Sequence, residues 1–191
     1  MITLSQLYHM PGTKHDELAA GVLVVREPCH AGPSVVNSMV YDHVHAFVSR
    51  HHLGLVTTDP AGYILARDPD TVRCPDVGFI TARRLEDGIP EGFFDGPPDL
   101  AIEVVSNSDR VPNVMRKVGE YLQAGTQIVW VIYPKTKSAA VFHENDETSI
   151  TIPPDGTFDG EDVLPGFQLP LRELFRGFNV RFDPKSGEFH E

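Results

Sequence analysis

Apolar residues recur along this chain in two rhythms. Val36, Met39, Val40, Val44, Phe47 and Val48 are spaced by three and four, which puts them on one face of a helix over about residues 35–52. Ser34 is the expected N-cap of that helix, and Gly54 ends its pattern. Elsewhere the apolar runs are short, as in strands. Gly21–Arg26 forms one. Leu53–Thr58 and Tyr63–Ala66 flank Asp59-Pro60-Ala61-Gly62 and read as a hairpin; Val77–Thr81 follows, and then a polar loop over about 84–98. Leu100–Val105 is apolar except at one position, and Gln127–Tyr133 is apolar almost throughout, the mark of a strand buried on both faces. A second helix is expected over about 111–124, stopping at Gly125, and a further hairpin at 139–143 and 148–152 around Glu144-Asn145-Asp146-Glu147. One short helix near Leu169–Phe175 precedes a polar end. Strand, helix, several strands, helix, strand and hairpin in that order predict an α+β (mixed α/β) fold: a mixed central sheet flanked by helices, with an added β-hairpin.

Length and composition narrow this reading. A chain of 191 residues, 41% hydrophobic and 23% charged, fits a single domain over 1–191, with its core at about 14–175 and a tail at 176–191. Sixteen Lys and Arg against 27 Asp and Glu leave a charge of −11, which excludes a uniformly basic nucleic-acid binder while allowing a local basic patch or a metal held between acids. Mean hydropathy is −0.17 and no run of 18 apolar residues occurs, so no membrane span is expected. The opening residues lack a secretory pattern, and two cysteines, Cys29 and Cys74, are too few for a disulfide framework or a four-cysteine zinc site. The cytosol is the expected compartment. Neither a GxGxxG after the first strand nor a P-loop is present, which leaves nucleotide binding unsupported.

Three charged residues stand where core-building would not put them. Asp76 directly precedes the apolar run Val77–Thr81, Glu103 interrupts the strand at 100–105, and Lys117 lies at the edge of the apolar stripe Val114, Val118 and Tyr121 on the second helix. On the strand, Leu100, Ile102 and Val104 share one face; Ala101, Glu103 and Val105 share the other. A lysine stem is long enough to bring its ammonium to Glu103. Two carboxylates on neighbouring strands suit Mg²⁺, which takes oxygen ligands and keeps several waters; a nearby lysine suits phosphodiester hydrolysis. Asp99 competes as second ligand, but it precedes Glu103 by four strand residues, about 13 Å of backbone. Asp76 is the better partner, and Asp99 is expected to start the strand or cap a loop.

The stretches ProAspValGlyPheIle, ProAspLeuAlaIleGluValValSerAsnSerAspArg and LysValGlyGluTyrLeuGlnAlaGlyThrGlnIleValTrpValIleTyrPro resemble the Uma2 family of restriction-endonuclease-like proteins, also called DUF820, found in cyanobacteria and other bacteria. The resemblance spans about 14–175 and is strongest from 75 to 134. It implies the PD-(D/E)xK nuclease fold, with a restriction-endonuclease-like core. It also implies site roles: Asp76 and Glu103 as metal ligands, Lys117 as the helix-borne counterpart of a lysine that elsewhere follows the glutamate by two residues (Val105 stands there), and Glu17 as an early acid in AspGluLeuAlaAlaGly. The chain departs from the family in GlyVal after that motif, where GlyGlu is more usual, and His30 has no secure counterpart. The implied activity is divalent-metal-dependent endonuclease cleavage of DNA with Mg²⁺ or Mn²⁺, by a homodimer.

Plainer roles compete at each position. Asp76 after Pro75 could be a turn residue; Glu103 and Lys117 could form a structural ion pair; Glu17 could serve a helix start. Ser106, Ser108 and Asp109 are expected to cap the second helix, and Trp130 to be core. His43, His45, His51 and His52 are expected on the exposed side of the first helix, with no zinc spacing among them. For DNA to approach, a basic patch is required from Arg83, Arg84, Arg110, Arg116 or Lys117. The opposing class is a non-catalytic binding or assembly module that retains the nuclease fold.

Overall fold

The computed structural model describes residues 1–13, 16–26, 30–106, 109–144, 148–179 and 181–190. Cys29, Ser108 and the Asn145-Asp146-Glu147 part of the expected turn lie outside these residues. The elements run α1 (Leu4–His9), β1 (Glu17–Ala19), β2 (Val22–Val24), α2 (Ala31–His51), β3 (Gly54–Thr58), β4 (Tyr63–Ala66), β5 (Thr71–Arg73), β6 (Val77–Thr81), β7 (Phe94–Asp95), β8 (Leu100–Val104), α3 (Val111–Gln123), β9 (Ile128–Tyr133), β10 (Ser138–His143), β11 (Ser149–Ile152), β12 (Thr157–Asp159), β13 (Gln168–Pro170), β14 (Arg181–Asp183) and β15 (Glu188–His190). A mixed six-stranded sheet has the order β11-β10-β9-β8-β6-β3, with β8 and β9 parallel and its other pairs antiparallel. A smaller sheet has the order β2-β1-β5-β4-β7. The architecture is α+β, as the order of elements predicts. Among the described residues no helix is long and apolar enough to cross a membrane.

Helix α2 lays Val36, Val40, Val44 and Val48 on one face of the large sheet, against Val77, Phe79, Leu100, Ile102, Trp130 and Ile132. Trp130 is fully buried and stacks on Phe158 with ring centroids 4.4 Å apart. Helix α3 covers the opposite face, where Val118 and Tyr121 meet Ala101, Val129 and Val131. Strand β9 is therefore apolar on both sides, as its unbroken run requires. The alternation along β8 also holds: Ile102 faces α2, and Glu103 faces α3.

Several expectations change. The helix expected from residue 35 begins at Ala31, because Pro33 falls in the first turn, where an N–H would have no partner anyway. Ser34 is thus inside the helix, not its cap; His30 is the N-cap, and the C-cap is His52 in the left-handed region. Runs 53–58 and 63–66 do not form a hairpin. Strand β3 pairs with β6, whereas β4 pairs with β5 and β7 in the other sheet. Asp59-Pro60-Ala61-Gly62 is therefore a crossing between sheets, since turn residues fix a change of direction without fixing a strand's partner. Glu17, expected near a helix start, lies in β1. Ser106 and Asp109 do not cap α3, whose N-cap Arg110 makes no side-chain cap bond; instead Asp109 accepts from the Ser106 N–H at 2.6 Å and closes the preceding loop. The short helix near Leu169–Phe175 is a 3-10 helix over Leu171–Asn179, and the polar end folds as the β14–β15 ribbon.

Candidate active site

The smaller sheet hands the chain to the larger one through Arg73-Cys74-Pro75-Asp76, between the end of β5 and the start of β6. Asp76 sits one step beyond the Val77↔Ile102 pair of β6 and β8, which brings it beside Glu103. Its Oδ2 accepts from the Val104 N–H at 2.7 Å. Glu103 is 8% exposed. Lys117 Nζ reaches down from α3 to 2.7 Å from Glu103 Oε1 and 2.8 Å from Oε2. One turn further along the same helix, the Tyr121 hydroxyl donates to Glu103 Oε1 at 2.9 Å. Lys117 Nζ also lies 3.1 Å from Glu17 Oε1. Glu17, 2% exposed in β1, accepts from Arg73 Nη1 at 2.8 Å and from the Cys74 N–H at 3.1 Å. All four residues singled out in the sequence meet here.

Five more charged or polar groups join them without having been singled out as site residues. Arg73, 1% exposed, donates through Nε to Glu120 Oε2 at 2.5 Å. Arg26 Nη1 holds Asp59 and donates to the Cys74 carbonyl at 3.2 Å, while its Nη2 lies 3.5 Å from Asp76 Oδ1. Tyr121 reads from the sequence as core stripe, and its hydroxyl is the exception. The signal for the arginines was faint but present: each closes a short apolar run, Val22–Val25 and Thr71–Val72, where a core strand has no use for a guanidinium.

Burial and neighbouring charge set the protonation of this cluster. Burial pushes the Glu103 carboxyl up to about 7; Lys117 opposes the rise, and the charges of Asp76 and Glu17 add to it. Burial also raises Asp76, against Lys117, the Val104 N–H and Arg26. Glu17 goes the other way. Burial would raise it, but Lys117, Arg73 and Arg26 together hold it at about 2. Burial works against the Lys117 ammonium, yet Glu103 and Glu17 keep its pKa above the ordinary lysine range. Lys117 is therefore a fixed positive charge, not a base.

The cluster floors an open cleft of about 430 Å³, whose rim carries Asn113, Arg110 and Arg116 from the start of α3 and its first turns. Of the basic residues needed for a patch, Arg110, Arg116 and Lys117 line this cleft, whereas Arg84 is turned to the Pro97 carbonyl at 2.5 Å and Arg83 and Arg84 are not among its lining. Asp99 caps a strand end by accepting from the Thr81 N–H at 2.8 Å, away from the cleft.

A family model described as "Putative restriction endonuclease" matches residues 4–172. The chain belongs to the Uma2 family. No curated protein matches it. Among solved structures it resembles a crystal structure described as "a putative nuclease belonging to DUF820" from Anabaena variabilis, with a TM-score of 0.81 at 20% identity, over 92% of this chain and 98% of that one. At that identity the likeness speaks for the fold, which is restriction-endonuclease-like.

The donor set of the Uma2 chain suits a hard divalent cation. Asp76 and Glu103 offer carboxylate oxygens side by side at the base of an open cleft, and burial raises the pKa of each. Among the described residues no three His, Cys, Asp or Glu side chains converge as a closed metal cage. Two protein ligands with water completing the shell is the habit of Mg²⁺ more than of Zn²⁺.

Proposed function

We propose that this chain is a divalent-metal-dependent endonuclease that hydrolyses phosphodiester bonds of DNA, with Asp76 and Glu103 as ligands for Mg²⁺ or Mn²⁺. The observation that carries the reading is Lys117 Nζ, bound to both Glu103 and Glu17 beside Asp76 on the floor of an open cleft. Membership of a family described as a restriction endonuclease supports the same chemistry. A bound divalent ion would polarise a phosphate oxygen and lower the pKa of a coordinated water. The chain's own groups do the rest. Lys117 stays charged and stabilises negative charge developing on the phosphate or on the attacking oxygen. Glu17 holds Lys117 in place, and Tyr121 fixes the rotamer of Glu103. Arg110 and Arg116 are placed to receive flanking phosphates. Burial raises the Glu103 pKa, so a metal held there would compete with a proton and would bind more tightly as pH rises.

Plasmid and single-stranded DNA incubated with Mg²⁺ or Mn²⁺ test the proposal. The wild-type chain should cut, and Asp76→Ala and Glu103→Ala should not; cleavage unchanged in both variants defeats the assignment. Gel filtration and light scattering check the homodimer expected alongside it. One observation favours the non-catalytic module: each of the deep cations, Arg26, Arg73 and Lys117, is already paired with a carboxylate, so with −11 overall little positive charge is left to attract a polyanion. DNA binding without cleavage at any metal concentration would support that alternative.

A further inference from the structure

Asp76 has two oxygens with different fates. Oδ2 is taken by the Val104 N–H, so Oδ1 is the oxygen left for a cation, and Arg26 already stands 3.5 Å from it. Arg26 is built into this position. Its guanidinium is held by the Asp59 carboxylate and by the Cys74 carbonyl, and its side chain is only 22% exposed. An arginine held through Nη1 by a carboxylate and a carbonyl, with Nη2 set 3.5 Å from Asp76 Oδ1, places positive charge where a bound ion would place it. It supplies positive charge to an oxygen that burial leaves short of it. A guanidinium and a hydrated divalent ion cannot both take that oxygen, by size and by like charge.

Resting on the reading of Asp76 and Glu103 as metal ligands, we propose that Arg26 is a tethered competitor for the divalent cation, which must leave Asp76 before the ion binds. Asp59 is its alternative seat: when Arg26 gives up Asp76 it keeps its pairing with Asp59, so its release need not strand a buried charge. The cluster has five carboxylates, Glu17, Asp59, Asp76, Glu103 and Glu120, against three cations, Arg26, Arg73 and Lys117. Taking Arg26 away makes the pocket one charge more negative and uncovers Asp76 Oδ1. Both changes favour metal. Arg26 therefore sets metal affinity below what the two carboxylates would give alone, and Asp59 tunes how hard it competes.

The test is direct Mn²⁺ binding to the full chain, by calorimetry and by the electron paramagnetic resonance signal of free Mn²⁺. Arg26→Met should bind Mn²⁺ about ten- to a hundredfold more tightly than wild type, the range of effects seen when groups around metal ligands change. Arg26→Lys, which keeps the charge, should stay near wild type. Asp59→Asn, which removes the alternative seat, should bind more weakly. Adding Asp76→Asn to Arg26→Met should erase the gain. A gain that Asp76→Asn erases belongs to this site and not to a general loosening of the fold; should Arg26→Met not fold, Arg26→Gln takes its place. Wild-type binding that Asp76→Asn abolishes, with Arg26→Met no tighter, overturns the role of Arg26 and leaves the metal site standing. Absence of Mn²⁺ binding by wild type and Arg26→Met alike overturns both.

Discussion

Neighbouring residues of β8 meet opposite surroundings. Ile102 enters a face closed by α2, among Val36, Val40, Val44, Trp130 and Phe158. Glu103 enters the face covered by α3, where a buried carboxylate is answered by Lys117 and Tyr121. The first face is held by hydrocarbon burial and close packing, which involve no titrating group. The second is held by ion pairs whose desolvation offsets much of their attraction, so it adds little net stability while demanding that every partner stay. One face holds the fold together; the other holds a buried cluster of charges.

The largest effects should come from the hydrocarbon face. Trp130→Ala removes a fully buried ring stacked on Phe158 and should cost about 3–5 kcal/mol, read by urea denaturation at any pH from 5 to 8. If that cost varied strongly with pH, the contrast between the faces would be wrong. On the ionic face, Lys117→Met leaves Glu103 without its cation, while Glu17 keeps Arg73, and should cost about 3 kcal/mol at pH 8. At pH 5 the loss should be smaller, because Glu103 can then take up a proton. Adding Glu103→Leu should recover most of the stability without activity, as expected of charges retained for function.

A smaller effect is the pH dependence of the intact protein. The folded pKa of Glu103, about 7, lies above its ordinary 4.5. Between those values the folded chain binds the proton more firmly than the unfolded chain, so this group's contribution is full below pH 4.5 and fades as pH rises through 7. Glu17 has the opposite sign. Its folded pKa of about 2 lies below 4.5, so its contribution is present above pH 4.5 and is lost as pH falls towards 2. Denaturation series on Glu103→Gln and Glu17→Gln should each flatten one of these slopes and spare the other. The smallest effect belongs to the rim: Arg116→Ala, half-exposed and 3.9 Å from Glu120, should change stability by no more than about 0.5 kcal/mol while weakening DNA binding.

Legibility in the sequence follows the same division. Period-three-and-four and unbroken apolar patterns placed α2, α3, β6, β8, β9 and the β10–β11 pair, because burying hydrocarbon on one face or both leaves a regular trace in the chain. Asp76, Glu103 and Lys117 stood out for the converse reason, since a charge inside or beside such a pattern is costly and needs a partner, whereas Glu17 was reached only through the family resemblance. Arg26 and Arg73 left only a faint trace, each at the end of a short run, and Asp59 left none, because it sits in a turn, where charge is ordinary. The hairpin expected at 53–66 failed on a related point, since Asp59-Pro60-Ala61-Gly62 marks a reversal and says nothing about which sheet receives the next strand.

The sequence by itself determined that β8 has an apolar face and a face carrying Glu103, that Lys117 rides on the following helix, and that Asp76 directly precedes another apolar strand. These are local facts of period and reach. Only the tertiary structure decided that Glu17, in a different sheet and a hundred residues before Lys117, shares its ammonium, and that Arg26 and Asp59 close on Asp76. Those contacts depend on how two sheets are joined at Arg73-Cys74-Pro75-Asp76. Strand pairing across such distances is set by the sum of many burials, and no single residue along the chain records it.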